Sequence, residues 1–174
     1  MKKCVVAQDK HVCIRYLKQD DANLLAQYAN NEKVSANLSD AFPNPYTESD
    51  AEKFLEKVEK QNPVTFFAIE YNGHYVGNIS LLLKSDVHRK SAEIGYFIGE
   101  PFWNKGIATR AVNLITEWGF NHLDINRIYT GIFSYNLASQ RVLEKCGFTK
   151  EGVGKQAIFK HNQFFDEIRY AKLK

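Results

Sequence analysis

The stretch AEIGYFIGEPFWNKGIATRAVNLITEWGF, running from Ala92 to Phe120, decides how this chain folds. Ala92 to Ile98 has the β-branched and aromatic content of a strand. From Gly106 to His122, the residues Ile107, Ala111, Leu114, Ile115 and Trp118 recur at helical spacing and define one apolar face. The two periods meet in the turn Gly99 to Lys105. A strand that passes through a glycine-bearing turn into a helix leaves unpaired amides at the positive end of the helix dipole, a setting that suits phosphate or pyrophosphate. Gly106 permits close backbone approach, Ala108 keeps the helix mouth uncrowded, and Lys105 and Arg110 add positive charge. Any α/β connection also needs such a turn, so this loop alone leaves anion binding and plain chain reversal open.

Upstream, Val5 to Ala7 and Val12 to Leu17 form a hairpin around a polar turn. Asp20 offers an N-cap to a helix carrying Leu24, Leu25, Tyr28 and Ala29. The segment Phe42-Pro43-Asn44-Pro45-Tyr46 is a loop, because each proline lacks an amide donor and biases its predecessor away from helix. Thr47 and Asp50 form a capping box for a second helix with Ala51, Phe54, Leu55 and Val58 on one face. Val64 to Tyr71 and Tyr75 to Leu83 flank the hairpin turn Asn72-Gly73, and the polar turn 84–90 leads into Ala92 to Ile98. Downstream, Asn126 to Phe133 is a strand, Asn136 to Lys145 a helix closed by Gly147, and Val153 to Phe159 with Phe164 to Leu173 a last hairpin. The order predicts one α/β domain of the α+β type over residues 1–174.

The composition narrows the function. With 174 residues, 44% apolar content and a net charge of +3, the chain is one domain's length, foldable, and too weakly basic for nucleic acid to be its main partner. Cys4, Cys13 and Cys146 have no close pair, so neither a disulfide framework nor a CxxC motif exists, and a reducing, cytoplasmic location is expected. No apolar run suggests a signal peptide or a membrane span. The five histidines lack metal-ligand spacing, so no metal is expected. No Walker A triplet occurs. Gly152, Gly154 and Ala157 match GxGxxA, but only 17 residues follow, too few for the rest of a βαβ unit.

Trp103-x-x-Gly106-x-Ala108 after the strand Ala92-Glu93-Ile94-Gly95-Tyr96, together with Asn136, Ala138, Ser139 and Glu144-Lys145-Cys146-Gly147-Phe148, resembles the two signatures of the GNAT superfamily of acetyl-coenzyme A-dependent N-acetyltransferases. Ile14 to Leu17 with Asp20-Asp21-Ala22, the loop Phe42 to Tyr46 and the closing Asp166 to Tyr170 look like its subgroup of ribosomal-protein N-terminal acetyltransferases of the Rim type. The resemblance covers nearly the whole chain. It implies a mixed, mostly antiparallel sheet splayed in the middle and flanked by about four helices, with pantetheine lying in the gap beside the strand that holds Glu93. Phe97, Ile98 and Gly99 would be backbone partners of pantetheine. Trp103 opens the pyrophosphate loop, whose amides come from Asn104, Lys105, Gly106, Ile107, Ala108 and Thr109. Asn136 would touch the cofactor, cap its helix, or do both.

The sequence departs from the family pattern at three positions. Trp103 replaces Gln or Arg, which a backbone-mediated site tolerates. Asn104 stands where glycine is usual, and Asn tolerates positive φ. Leu143 occupies the place of the tyrosine that protonates the departing thiolate. A thiol is an acceptable leaving group without a strong acid, and Ser139 would orient or protonate the sulfur or else satisfy a first-turn amide.

The reaction implied is direct attack of an amine on the acetyl thioester of acetyl-CoA in a ternary complex. Alternation puts Glu93, Gly95 and Phe97 on one face of their strand and Ile94, Tyr96 and Ile98 on the other. Glu93 is then either the base, acting through water, or half of an ion pair with a neighbouring strand. The loop 42–46, the turn 84–90 and the last hairpin around 161–165 would wall the acceptor pocket, with Tyr46, Phe164 and Phe165 either lining it or serving as core. Cys146 reads as buried packing. Three functions stay open: acetylation of a protein N-terminal α-amine, acetylation of a small amine such as a polyamine, aminoglycoside or amino-acid derivative, and acetyl-CoA binding without transfer. Homodimers are common in the subgroup, and a homodimer is compatible with the reading.

Overall fold

The computed structural model describes residues 5–174, so Lys2, Lys3 and Cys4 lie outside the described residues. The elements are β1 (Val5–Gln8), β2 (Val12–Tyr16), α1 (Ala22–Ala29), α2 (Glu32–Ser35), α3 (Glu48–Glu59), β3 (Phe66–Tyr71), β4 (His74–Leu83), β5 (Ser91–Ile98), α4 (Ile107–His122), β6 (Arg127–Phe133), α5 (Leu137–Lys145), β7 (Thr149–Lys160) and β8 (Gln163–Leu173). The eight strands form one sheet in the order β1-β2-β3-β4-β5-β6-β8-β7. Every pairing is antiparallel except β5 with β6. That parallel ladder has three residue pairs, from Ser91↔Arg127 to Glu93↔Tyr129, whereas β4–β5 and β6–β8 have seven each. Past Glu93 and Tyr129 the two strands part, and the sheet is splayed in the middle.

The α+β architecture is as expected, with five α-helices among the described residues rather than about four. The additional helix is α2, one turn in the polar stretch 30–40, where the Asn31 side chain accepts from the Lys33 amide. Thr47 and Asp50 form their capping box at the start of α3. The Asn72-Gly73 turn has φ of 50° and 84°, the positive values that a tight hairpin with the sheet's twist requires. Gly152 and Gly154 lie inside β7, beside two register shifts, and precede no helix.

The two faces of the sheet carry different layers. On one, Ile14, Phe67, Ile79, Leu81 and Ile94 pack with Ile107, Ala111, Val112 and Ile115 of α4 and Leu143 of α5. On the other, Ala68 and Tyr75 pack with Leu25 and Ala29 of α1 and Ala51 and Leu55 of α3, and Phe97 joins them. Glu93, Gly95 and Phe97 therefore belong to the α1/α3 face, and Ile94, Tyr96 and Ile98 to the α4/α5 face. No described helix is long and apolar enough to cross a membrane.

The entry to α1 departs from expectation. Gln19–Asp21 is a 3-10 turn and Asp21, not Asp20, stands at the N-cap of α1, without a side-chain capping bond. The Asp21 carboxylate instead takes the Arg15 guanidinium on both oxygens at 2.8 Å, and Arg15 Nε donates to Glu70 at 2.7 Å. All three residues are buried. Bidentate pairing secures the geometry, and β2, β3 and the start of α1 become one unit. Removing one member of a buried ionic group leaves uncompensated charge. Arg15→Met is expected to lower the unfolding free energy by about 3–5 kcal/mol in urea titration, and a loss below about 1 kcal/mol would show that the group does not hold the fold.

Candidate functional site

The parting strands present their edges to each other. Gly99 donates its amide to Val76 O at 2.8 Å, and Ser91 O accepts from Lys84 N, so the odd-numbered residues of β5 turn their peptide groups toward β4. The even-numbered Tyr96 and Ile98 turn theirs into the split. Of the three backbone partners expected for pantetheine, Ile98 faces the gap, while Phe97 and Gly99 are directed to β4. Alternation of peptide direction along one edge makes three consecutive partners geometrically unavailable, a correction that the sequence pattern alone contains.

Trp103 has a definite task at this edge. Its indole Nε1 donates to Ile98 O at 2.6 Å, stitching the turn back onto the end of β5. Beyond it, Asn104 and Gly106 both adopt left-handed backbone, with φ of 61° and 72°. Two such residues in three curl the loop into a concavity of amides. Helix α4 follows without a side-chain cap, and Arg110 N is its first amide with a helical partner, Gly106 O. The amides of Ile107, Ala108 and Thr109 are thus free for an anion at the positive end of a 16-residue helix. Lys105 Nζ lies over the Phe102 ring at 5.3 Å, and Arg110 is engaged by Asp9 at 2.8 Å. This donor set fits a pyrophosphate held mainly by backbone.

On the α4/α5 face two hydroxyls meet across the split. Tyr96 OH and Ser139 Oγ are 2.6 Å apart, and Asn136 Oδ1 caps α5 by accepting from Ser139 N at 3.1 Å. Ser139 is therefore hydrogen-bonded to a tyrosine rather than to a first-turn amide. Burial pushes the Tyr96 phenol up to about 12, opposed by its bond to Ser139, so it stays protonated at neutral pH. Leu143 is fully buried core. Cys146 is buried as well; its thiol donates to Thr109 O at 3.3 Å and is pushed up to about 11 by burial, the state of a packing residue rather than a nucleophile.

On the opposite face, Glu93 Oε2 accepts from Lys84 Nζ at 2.5 Å, with the lysine 5.6 Å from the Tyr129 ring centroid. Residues 36–46 cross above the split. Ala36 O accepts from Tyr135 OH, Leu38 O accepts from the buried Lys160 Nζ at 2.6 Å, and Asp40 pairs with the same ammonium at 3.2 Å. At the other end Phe42 packs on Phe97 at 5.8 Å and on Tyr46 at 4.8 Å. Tyr46, the last residue of this roof, is buried, and burial raises its phenol to about 12. Phe165 joins Phe133 and Tyr135 on the far side of the split. Phe164 does not line the pocket: consecutive strand residues face opposite sides, and it is 63% exposed against Phe159. The turn 84–90 stands at the paired end of β5, and its Lys84 reaches Glu93 on this face.

Sequence reasoning named the loop, Ser139, and Glu93 as base or as half of an ion pair with a neighbouring strand, whose partner is Lys84, and missed Tyr96, Lys160 and Tyr135. The roles of these three depend on partners 43 to 122 residues away. Trp103→Phe keeps the ring and deletes the donor to Ile98 O. A net hydrogen bond is worth about 1 kcal/mol, so CoA affinity is expected to fall about fivefold in calorimetric titration, with little change in melting temperature. Unchanged affinity would show that the stitch does not shape the loop.

Similarity to known proteins agrees with this geometry. Residues 11–149 match the family model described as acetyltransferase (GNAT) domain. The chain is 31% identical over 175 residues to the "Putative ribosomal N-acetyltransferase YdaF" of Bacillus subtilis (strain 168), covering 95% of this chain and 93% of that protein. It is 29% identical to the spermidine N(1)-acetyltransferase of Escherichia coli (strain K12), covering 91% and 83%. Among solved structures, the Microcin C7 self immunity acetyltransferase MccE, crystallised with acetyl-CoA and AMP, superposes with a TM-score of 0.82 at 27% identity, over 95% of this chain and 94% of that one. With most of its length matched by the family model and a relative above 30% identity over nearly all of it, the chain belongs to the GNAT acetyltransferase family.

Proposed function

We propose that the protein transfers acetyl from acetyl-CoA to a protein N-terminal α-amine by direct attack, in the manner of the Rim-type subgroup. The observation that carries the reading is the split itself: an amide-lined anion loop at its open end, and an opposite face roofed by residues 36–46. A thioester threaded between β5 and β6 would present its acyl carbon to that face. The bound coenzyme supplies an activated acyl group with a thiol leaving group of pKa ~8.5.

This chain's residues divide the remaining work. The Ile107, Ala108 and Thr109 amides hold the pyrophosphate, and Ile98 and Tyr96 offer backbone groups to pantetheine. Ser139, hydrogen-bonded to the protonated Tyr96, donates toward the sulfur position in place of the tyrosine absent at Leu143. Glu93 receives the amine proton through water. Its oxygen already carries Lys84, an arrangement suited to an acceptor that needs little help. An α-amine of pKa ~8 is unprotonated in roughly a tenth of molecules at pH 7, whereas a lysine-type amine of pKa ~10.4 is not. The similarity to a protein named for ribosomal acetylation supports the same acceptor. The second reading, a polyamine acceptor, is favoured by the spermidine enzyme among the relatives.

Free CoA release is the assay, with a tetrapeptide bearing a free α-amine, its N-acetylated form carrying one lysine, and spermidine. The free peptide is expected to have a kcat/KM at least about tenfold above the blocked one. Faster turnover of spermidine would establish the second reading, and tight acetyl-CoA binding without release from any acceptor would make the protein a binding module. Ser139→Ala is expected to lower kcat about tenfold or more while leaving the acetyl-CoA KM near its original value, and Tyr96→Phe should add little in the double variant. An unchanged kcat in Ser139→Ala removes it from the mechanism.

A further inference from the structure

Gly95 and Gly131 each stand two residues past the last paired position, Glu93↔Tyr129, one on either rim of the split. Both are exposed, and on the acceptor face neither rim carries a side chain at that level. The sheet is therefore open where acyl carbon and amine would meet. What occupies the bare site on β6 is a carboxylate. A Cβ at Gly131 would overlap Glu167 Oε1 and stand 2.6 Å from Glu167 Cδ, so the Glu167 head group lies directly over this glycine. Gly131 has no positive φ, and its missing side chain serves space rather than backbone conformation.

Glu167 is half-buried on β8, opposite Phe133, and Arg169 Nε donates to its Oε2 at 2.7 Å. Oε1, the oxygen over Gly131, receives no hydrogen bond from a described residue. A carboxylate accepts on both oxygens, so one lobe is pinned by an exposed arginine while the other faces the opening. Glu93 differs: it sits at the last paired position, with Lys84 on it.

We infer that Glu167 is the acceptor-binding carboxylate, seated on Gly131 and oriented by Arg169, and that it takes the positively charged amine of the acceptor before transfer. The inference rests on the acetyl-transfer reading only in that the ligand of this face is an amine, whichever amine it is. Charge-assisted hydrogen bonding at a partly desolvated site discriminates a cation from its neutral isostere about tenfold to a hundredfold.

The test uses the protein saturated with CoA, where no acetyl group is present and amines bind without reacting. Calorimetry compares a free-amine tetrapeptide with its N-acetylated form at pH 7, and spermidine is titrated in parallel. Wild type is expected to prefer the free amine about tenfold or more. Glu167→Gln should bring the ratio near one, Glu167→Asp should restore part of it, and Gly131→Ala should mimic the loss by displacing the carboxylate without altering the backbone. Arg169→Gln should raise the preference, a gain that misfolding does not produce. If Glu167→Gln leaves the affinities of both the free-amine peptide and spermidine unchanged, or if wild type prefers neither cation, the inference is overturned. If only spermidine shows the Glu167 dependence, Glu167 stands and the α-amine acceptor fails.

Discussion

A parallel ladder that stops after three residue pairs is the constraint on which the rest of this structure turns. Backbone amides and carbonyls in a sheet interior are normally paired, and an unpaired one removed from water costs as much as a lost hydrogen bond. Past Glu93 and Tyr129, two strands in the middle of an eight-stranded sheet present edges with no ladder between them. Such edges persist only if each strand is held firmly from its other side. Seven antiparallel pairs on β4 and seven on β8 do so. The last strand enters between β6 and β7, and this insertion is what keeps β6 from being a loose edge.

The split then decides what each neighbouring residue can do. Residues of β5 whose peptides face β4 are spent on the sheet, while the intervening ones are offered to a ligand. The turn that follows must deliver α4 at the open end, which explains two left-handed residues and the indole that ties Trp103 to Ile98. On the far face the roof 36–46 has little regular structure of its own. It is positioned by polar anchors from remote parts of the chain, Tyr135 and Lys160 at one end, and by the Phe42–Phe97 contact at the other. A roof secured by such point contacts is fixed by side chains from elsewhere in the chain rather than by a ladder or helix of its own.

Periodicity and turn chemistry specify most of the elements here, from the Asn72-Gly73 hairpin to the capping box of Thr47 and the amphipathic α4. They also specify the anion loop, since glycine position, strand and helix are all local properties. What they do not specify is pairing at a distance. The four-residue α2 offers too few turns for a period. Asp20 and Asp21 are equivalent caps by composition, and only the burial of Arg15 next to Glu70 determines that Asp21 serves the core. Phe164 and Phe165 are indistinguishable as residue types. Strand parity separates them once the register with β7 is known, because Phe164 lies opposite Phe159 while Phe165 meets Phe133. The carboxylate of Glu167 is invisible for the same reason, being defined by a glycine 36 residues earlier in the chain.

The hydroxyl pair beside the split stands next to a position that carries no hydroxyl of its own. Leu143 fills a fully buried position between α4 and the sheet, where a phenol would need a partner that the surrounding apolar side chains do not offer. The hydroxyls here come from two other elements, Tyr96 on β5 and Ser139 one turn earlier on α5, and they meet each other. Together they form a hydrogen-bonded pair on one face of the split, where β5 and β6 share no backbone ladder. The strand that exposes its peptide edge past Glu93 is therefore also the strand that brings Tyr96 to Ser139, so one divergence serves both the backbone and the side chains.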